Sequence, residues 1–183
     1  SRDQEKAKEY LATALSELGC TVDDLSAHLS IDCGDSATST AEASFYQEQW
    51  RQVLGIEVTV NPMITKQGSQ NRKTGNYVMS VTGWGPDYND PNTFLDLWVT
   101  DGGNNQTGFS NERYDELIDL ASKETDLEKR ESYFIECEQI IADQLPIGPA
   151  FWRAPSYACS DKIKGGMHRS TFQDINAVYV KLS

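Results

Sequence analysis

The feature of this sequence that most restricts its fold is the alternation of helical and extended patterns along the first 82 residues. Apolar residues at helical spacing predict helices over residues 4–18, 39–54 and 66–73. Alternating apolar and polar residues predict strands over residues 25–32, 56–61 and 77–82. Strands that are separated by helices of this length favour a mostly parallel sheet with helices on its faces, so we predict an α/β fold.

Short local signals predict where the first two helices begin and end. Asp3 is a cap for the first helix, and Gly19 stops it. Ser39 and Glu42 match the capping box that opens the second helix, and Gly55 ends that helix. These signals divide the first half of the chain into the segments named above.

The second half of the chain is predicted to be mainly helical. Helices are predicted over residues 91–98, from Asn111, and from a capping box of Thr125 and Glu128 to Pro146. Residues 101–108 are polar and rich in glycine, which is typical of an exposed loop. Extended segments are predicted over residues 147–152, which we expect to be buried, over residues 156–159, and over residues 177–182 as a last strand.

The composition indicates a soluble globular chain that forms one domain, or one lobe of a larger protein. Its 183 residues are 38% apolar and 10% aromatic, which is enough for a hydrophobic core. The net charge of −12 disfavours nucleic acid and anionic lipid as partners, because no basic stripe is present. The chain has no apolar run of membrane-spanning length and opens on Ser1 without a signal peptide, so we expect a processed piece whose targeting or anchoring segment is lost.

The cysteines and histidines argue against a metal site, and we predict no cofactor. None of the four cysteines stands in a CxxC pair, and the two histidines, His28 and His168, are far apart in the sequence. The even count permits two disulfides with three possible connectivities, which the sequence leaves open. Cys137 lies on the apolar stripe of a helix, where we expect a buried thiol. The cysteines are Cys20, Cys33, Cys137 and Cys159.

The segment GWGPDYNDP, residues 83–91, carries residues that suit the binding of a small cationic group. Its glycines and prolines prevent a strand or a helix from continuing, so it forms an irregular loop after the third predicted strand. Parallel sheets bind ligands beyond the carboxyl ends of their strands. Trp84 stands beside Asp87, with Tyr88 next to it, and a carboxylate flanked by aromatic rings attracts an ammonium group. The structural alternative is a turn that packs its tryptophan and leaves its acids in solvent.

The order and spacing of four segments carry a family resemblance. They are AKEYLATALSELG from Ala7, QEQWRQVLGIEV from Gln47, GWGPDYNDPNTFL from Gly83, and GFSNERYDELIDLA from Gly108 followed by TDLEKR and LPIGP. Together they resemble the second lobe of the oligopeptide- and dipeptide-binding proteins of bacterial ABC importers, which form extracellular solute-binding protein family 5. The resemblance implies a lobe with the type II periplasmic-binding-protein fold.

The resemblance also implies an organisation, a location and a set of partners. Residues 1–156 would form the second ligand-binding lobe, and residues 157–183 a return segment that rejoins a missing first lobe of the same polypeptide. The two lobes would close around a peptide, and the protein would pass it to the permease subunits of an ABC transporter. Such a protein is not an enzyme. It is extracytoplasmic, either periplasmic or lipid-anchored on the cell surface, and meets the membrane only through a lost anchor.

The same resemblance implies roles for single residues of the loop. Asp87 would hold the α-ammonium of the peptide, which is cationic at neutral pH because its pKa is roughly 7.7–8.0. Trp84, Gly85 and Tyr88 would line the same pocket. One departure concerns the other end of the peptide, because residues 78–82 contain no basic residue to pair with its carboxylate. The basic residues that could replace it are Arg72, Lys73 and Arg153.

Two other functions remain open at this point. The same fold could bind a non-peptide solute, such as an oligosaccharide, a nickel chelate or haem. Alternatively, Asp87 and Asp90 could be the paired carboxylates of a glycoside hydrolase, although their spacing across the loop does not fix a separation. Asp90 precedes Pro91, and this position favours a helix cap over a ligand contact.

Overall fold

The structure, a computed structural model, describes residues 3–152, 158–165, 168–169, 175–176 and 181–182. It divides into two compact units, Ser1–Gly83 and Trp84–Ser183, each with its own hydrophobic core. None of the helices in the described ranges is long and apolar enough to cross a membrane. The lobe boundary predicted after residue 156 falls among residues 153–157, which lie outside the described ranges, and it stays a prediction.

The first unit is built around a parallel sheet of three strands, which confirms the predicted α/β fold. Its helices are α1 (Gln4–Leu18), α2 (Val22–Ser26), α3 (Ala37–Leu54) and α4 (Thr65–Thr74), and its strands are β1 (Ser30–Gly34), β2 (Thr59–Met63) and β3 (Met79–Ser80). The strand order is β2-β1-β3, and both neighbours run parallel to β1. Helices α3 and α4 contact the sheet, and α1 packs on α3.

The cap of α1 is confirmed, whereas the cap predicted for α3 is wrong. Asp3 accepts a hydrogen bond from the Lys6 N–H at 2.9 Å, and Gly19 ends α1 with a φ of +64°. The cap of α3 lies three residues earlier than predicted, at Ser36, which accepts from the Ser39 N–H at 3.2 Å. The carboxylate of Glu42 accepts from the Tyr46 hydroxyl at 3.2 Å.

The predicted strand over residues 25–32 is wrong up to residue 29, because residues 25–26 belong to α2 and residues 27–29 form no strand. Thr21 and Asp24 make a reciprocal capping box, in which the Thr21 hydroxyl accepts from the Asp24 N–H and the Asp24 carboxylate accepts from the Thr21 N–H. Two satisfied helix donors outweigh the alternating pattern that follows them. The strand itself therefore begins at Ser30 and is buried over its three central residues.

The other two strands are shorter or later than predicted. The apolar residues Ile56 and Val58 are buried, but β2 begins only at Thr59, where the chain pairs with Ser30. Of residues 77–82, only Met79 and Ser80 form a strand beside β1. The alternating sequence pattern thus identified the buried side chains, but the hydrogen-bonded pairing with β1 determines where β2 and β3 begin and end.

The second unit contains a helical core and short strand pairs. Its elements are α5 (Asn92–Leu95), a 3₁₀ helix (Asp96–Trp98), α6 (Glu112–Lys123), α7 (Leu127–Gln144), β4 (Ile163–Lys164), β5 (His168–Arg169), β6 (Ile175–Asn176) and β7 (Lys181–Leu182). β4 pairs antiparallel with β7, and β5 with β6. The apolar stripes predicted for α6 and α7 are confirmed, because they supply most of the core residues Leu95, Tyr114, Leu117, Ile118, Ala121, Phe134, Cys137 and Ile141.

The capping box predicted for α7 is displaced by one residue. Asp126, and not Thr125, caps the helix by accepting from the Lys129 N–H at 3.0 Å. The N–H groups of Thr125 and Asp126 both donate to Glu124. Asp126 rather than Thr125 is the cap because a carboxylate is a stronger acceptor than the Thr125 hydroxyl for the N–H groups of the first turn.

All four cysteines lie in the described part of the chain, and Cys20, Cys33 and Cys137 are free thiols. Cys137 is fully buried on α7, as predicted. Burial raises the pKa of its thiol to about 11, which keeps it protonated at neutral pH.

The segment after α7 differs from its prediction. Residues 147–152 form no strand, and most of them are exposed. Trp152 is 81% exposed, and the centroid of its ring lies 5.3 Å from that of the Phe94 ring in an edge-to-face arrangement. No described strand lies beside this segment to bury its backbone, so the apolar composition alone misled the prediction. The segments predicted over residues 156–159 and 177–182 lie partly outside the described ranges.

Candidate functional site

The Asp87 loop, residues 84–91, has a fixed backbone and an exposed carboxylate. The Asp87 N–H donates to the Thr93 hydroxyl at 2.9 Å, and Thr93 is only 2% exposed. The Asp87 side chain is exposed, and its carboxylate accepts no hydrogen bond from the described residues. Because the loop does not use this carboxylate to satisfy its own backbone, the acid is available to a group from outside the chain.

The two aromatic residues of the Asp87 loop are also exposed. Trp84 is 44% exposed and Tyr88 is 42% exposed, so neither ring is a core residue. The Tyr88 hydroxyl donates to Asp96 at 3.4 Å and accepts from the Asn92 amide at 3.1 Å, which orients its ring. A Cβ added at Gly85 would meet no described atom within 4 Å. The four predicted site residues thus share one exposed loop, and their roles in binding stay predictions.

Asp90, at the end of the Asp87 loop, is held by Arg130. The guanidinium donates two hydrogen bonds to its carboxylate, at 2.6 and 2.9 Å. The same carboxylate accepts from the Asn92 N–H at 2.9 Å, but the N-cap position of α5 is Pro91 and not Asp90 as predicted. The hydrogen bonds from Arg130 hold the pKa of Asp90 below its usual range. An acid whose pKa is lowered in this way is unsuited to the general-acid role of a glycosidase pair, which requires a raised pKa.

Arg130 connects the Asp87 loop to both long helices of the second unit. Its Nε donates to the carbonyl of Ala121 on α6 at 3.0 Å. Its guanidinium lies 4.6 Å from the centroid of the Phe134 ring on α7, a cation–π contact. Sequence analysis missed this residue because Arg130 and Asp90 are separated by 40 positions, and no local spacing shows that they pair.

Thr93→Val tests whether the buried hydroxyl fixes the Asp87 loop. Valine keeps the shape of the side chain but cannot accept from the Asp87 N–H, so that amide should exchange with solvent several-fold faster, as loss of one hydrogen bond of about 1 kcal/mol implies. Amide exchange followed by NMR measures it. Thr125→Val is the matched control, because Thr125 is exposed and its hydroxyl makes no described hydrogen bond. Unchanged exchange at Asp87 in Thr93→Val would refute the anchoring role.

Two of the three basic residues predicted as partners for a peptide carboxylate lie on α4. Arg72 lies on α4 in the first unit, and its guanidinium donates to the Ser80 hydroxyl at 3.4 Å. Lys73 is exposed on the same helix, and Arg153 lies outside the described ranges. Within the described residues, no group of three or more His, Cys, Asp or Glu side chains is arranged to hold a metal ion.

Comparison with known protein families identifies the chain. Residues 1–106, which include the first unit and the Asp87 loop, match the middle part of the bacterial extracellular solute-binding proteins, family 5. The chain belongs to this family. Family 5 consists of extracellular binding proteins, so the predicted extracytoplasmic location and the prediction of a binding protein rather than an enzyme are confirmed.

Individual members of family 5 resemble the chain over most of its length. The oligopeptide-binding protein OppA of Bacillus subtilis is 33% identical over 89% of this chain and 30% of its own. The dipeptide-binding protein of Lactococcus lactis is 33% identical over 99% of this chain and 34% of its own. The structure of Listeria monocytogenes OppA bound to peptide is 29% identical, with a TM-score of 0.82 over 99% of this chain and 34% of that one. The chain spans about a third of the length of these relatives.

Proposed function

We propose that the protein containing this chain binds peptides outside the cytoplasmic membrane and delivers them to the permease subunits of an ABC importer. The observation that carries the proposal is the exposed carboxylate of Asp87, which accepts no hydrogen bond from the described residues and lies on a loop fixed by Thr93. Membership of a family of solute-binding proteins supports a transport role. The names of relatives that bind oligopeptides and dipeptides support peptides as the solute.

In the proposed complex, Asp87 accepts hydrogen bonds from the α-ammonium of the peptide. This contact recognises a group that every unmodified peptide carries, so it sets the position of the peptide without reading its side chains. Trp84 and Tyr88 line the pocket, where their rings attract the same cation. Gly85 leaves space beside them, because a side chain there would occupy volume that no described atom fills. Backbone hydrogen bonds of the extended type would hold the rest of the peptide.

The proposal includes a first lobe of the same polypeptide, which closes over the peptide by a hinge motion. Closure removes water from the site, and the attraction between a carboxylate and an ammonium group rises as the effective dielectric constant falls. An acid on one lobe therefore binds weakly in the open protein and strongly in the closed one. The closed form is the state in which we expect the permease subunits to recognise the protein.

The test is Asp87→Asn in the full-length protein, with binding of trialanine measured by calorimetry. The amide keeps the shape of the side chain but loses its charge, so the affinity should fall about tenfold, the value of one charge-assisted hydrogen bond. Asp101→Asn is the matched control. Asp101 is also an exposed loop acid, and its φ of +57° suits asparagine.

N-acetyl-trialanine separates the ammonium contact from every other effect of the substitution. It lacks the α-ammonium, so it should bind the unchanged protein and Asp87→Asn with equal, lower affinity. Full affinity of Asp87→Asn for trialanine would remove Asp87 from the site. Failure of the unchanged protein to bind any peptide would refute the proposed function as a whole.

A further inference from the structure

A second candidate site is lined entirely by residues of the first unit. A cavity of about 430 Å³ opens between the sheet and α4, which is within the roughly 300–1,000 Å³ typical of ligand pockets. Residues 75–78 form one wall, and the Met63 side chain contributes an apolar surface. The remaining lining is polar and comes from Ser30, Asp32, Asn61 and Asn71.

The charged residue of this cavity, Asp32, is only 5% exposed. Its Oδ1 accepts from the Asn61 amide at 3.3 Å, and its Oδ2 accepts from the Asn71 amide at 3.1 Å. Both donors are neutral, and no lysine or arginine in the described ranges forms an ion pair with Asp32. Buried acids in proteins are normally paired with a cation, so this environment is unusual for a carboxylate.

The carboxylate retains the capacity to bind a further donor. Two carboxylate oxygens offer about four acceptor positions, and the two amides use one on each oxygen. The arrangement also holds the acid in place, because Asn61 lies on β2 and Asn71 on α4. The side-chain oxygen Oδ1 of Asn71 accepts from the Gln67 side-chain amide at 2.8 Å, which orients the Asn71 amide. A charged acceptor that is fixed in this way loses little conformational freedom when a ligand binds.

We propose that this cavity, the Asp32 cavity, binds an alkylammonium or alkylguanidinium group, with Asp32 as its counter-charge. The positive end of the ligand donates to the remaining acceptor positions of Asp32. Its alkyl chain lies against Met63, whose flexible thioether adapts to the shape of an aliphatic chain. The cavity is too large for a bare metal ion to fill, and one carboxylate beside two amides lacks the several anionic ligands that divalent cations prefer.

A site for an alkylammonium or alkylguanidinium group should prefer a cationic ligand over a neutral ligand of the same shape, and one pair of probes tests this preference. Nα-acetyl-L-argininamide carries a guanidinium group, whereas Nα-acetyl-L-citrullinamide has nearly the same shape and is neutral. Both lack a free α-ammonium, so neither tests the proposed role of Asp87. Titration of the 183-residue chain should shift the side-chain NMR signals of Asn61 and Asn71 with the arginine probe and leave them unchanged with the citrulline probe. Nα-acetyl-L-lysinamide should act like the arginine probe.

Two variants assign that binding to the Asp32 cavity. Asp32→Asn should weaken binding of the arginine probe about tenfold, because it replaces a charged acceptor with a neutral amide. Asp35→Asn changes the net charge equally at an exposed position and should have no effect. Val78→Trp, at an exposed position on the cavity wall, should block binding while the hydrogen bonds of Asp32 stay intact. This variant tests the site even if Asp32→Asn does not fold.

Each outcome bears on the proposal. Selective binding of the cationic probes that both Asp32→Asn and Val78→Trp reduce would establish the site. Equal response to the arginine and citrulline probes, no response to any probe, or full affinity in Val78→Trp would overturn it. In those cases the Asp32 network would serve only to fix α4 on the sheet. The result for the Asp32 cavity is independent of the trialanine experiment, because the probes and the substituted residues differ.

Discussion

Leu117→Ala should lower the free energy of unfolding of the second unit by about 3 kcal/mol. Leu117 lies on α6 and is fully buried, between residues of α7 and the short helix α5. Removing its branched end deletes apolar contacts and leaves a cavity that the surrounding helices can fill only in part. A hydrogen bond also links α6 to α5, because the buried Tyr114 hydroxyl donates to the Leu95 carbonyl at 2.6 Å. This bond limits how far α5 can move into the cavity.

The measurement is urea unfolding followed by circular dichroism and by tryptophan fluorescence. Leu127→Ala is the matched control, because Leu127 is an exposed leucine on α7 and its loss should change stability by no more than about 0.5 kcal/mol. If the two variants were equally stable, the helices of the second unit would not share the core described here. The first unit has a separate core, so a transition that belongs to it should be unaffected.

The helices of the second unit were predictable because their signals are local and repeated. On α6 and α7, apolar residues recur at helical spacing over three or more turns, so a single misplaced cap at Thr125 moved only the start of α7. The strands of the first unit were less predictable. Their limits depend on β1, which pairs with segments that are distant in sequence, and on the capping box at Thr21 that converts residues 22–26 into a helix.

The candidate sites divide in the same way. The Asp87 loop could be found from the sequence, since its acid and its rings are adjacent and its glycines and prolines exclude regular structure. The exposure of Trp84 and the anchor at Thr93 could not be found, because both depend on packing. The Asp32 cavity gave no signal at all. Its acid and its two amides come from three elements, and their meeting follows from the register of β1 against β2 and from the position of α4.

We expect a second large effect from Arg130→Met, which should lower the free energy of unfolding of the second unit by about 2 kcal/mol. Methionine keeps the aliphatic stem but removes the guanidinium, so Asp90 loses two hydrogen bonds and the Ala121 carbonyl loses its donor. Loss of one partner from a fully buried ion pair costs about 3–5 kcal/mol, and we reduce that figure because both side chains are about a quarter exposed, at 24% and 27%. Arg130→Lys should rescue only part of the loss, since lysine cannot donate in the bidentate geometry.

The control is Arg113→Met, which removes ion pairs to Glu116 and Glu136 that are about half exposed. Its cost should stay below about 1 kcal/mol, because solvent screens exposed pairs. Equal losses in the two variants, by urea unfolding, would mean that the Arg130 contacts contribute no more than a surface pair. In the full-length protein, Arg130→Met should also weaken trialanine binding, whereas Arg113→Met should not, since only Arg130 holds the end of the Asp87 loop.

The pH dependence distinguishes the ion pair from the packing of the Arg130 stem. The pKa of Asp90 is lowered in the folded protein, so folding favours its ionised form. The stability from the pair is therefore complete above the ordinary aspartate pKa of roughly 3.9 and is lost as the pH falls through the lower folded value. In Arg130→Met the folded pKa of Asp90 should return toward the ordinary value, and the loss of stability as the pH falls below that ordinary value should become shallower than in the unchanged protein. Parallel acid-unfolding profiles would show that Arg130 acts through its stem and its contact with Phe134, and not through Asp90.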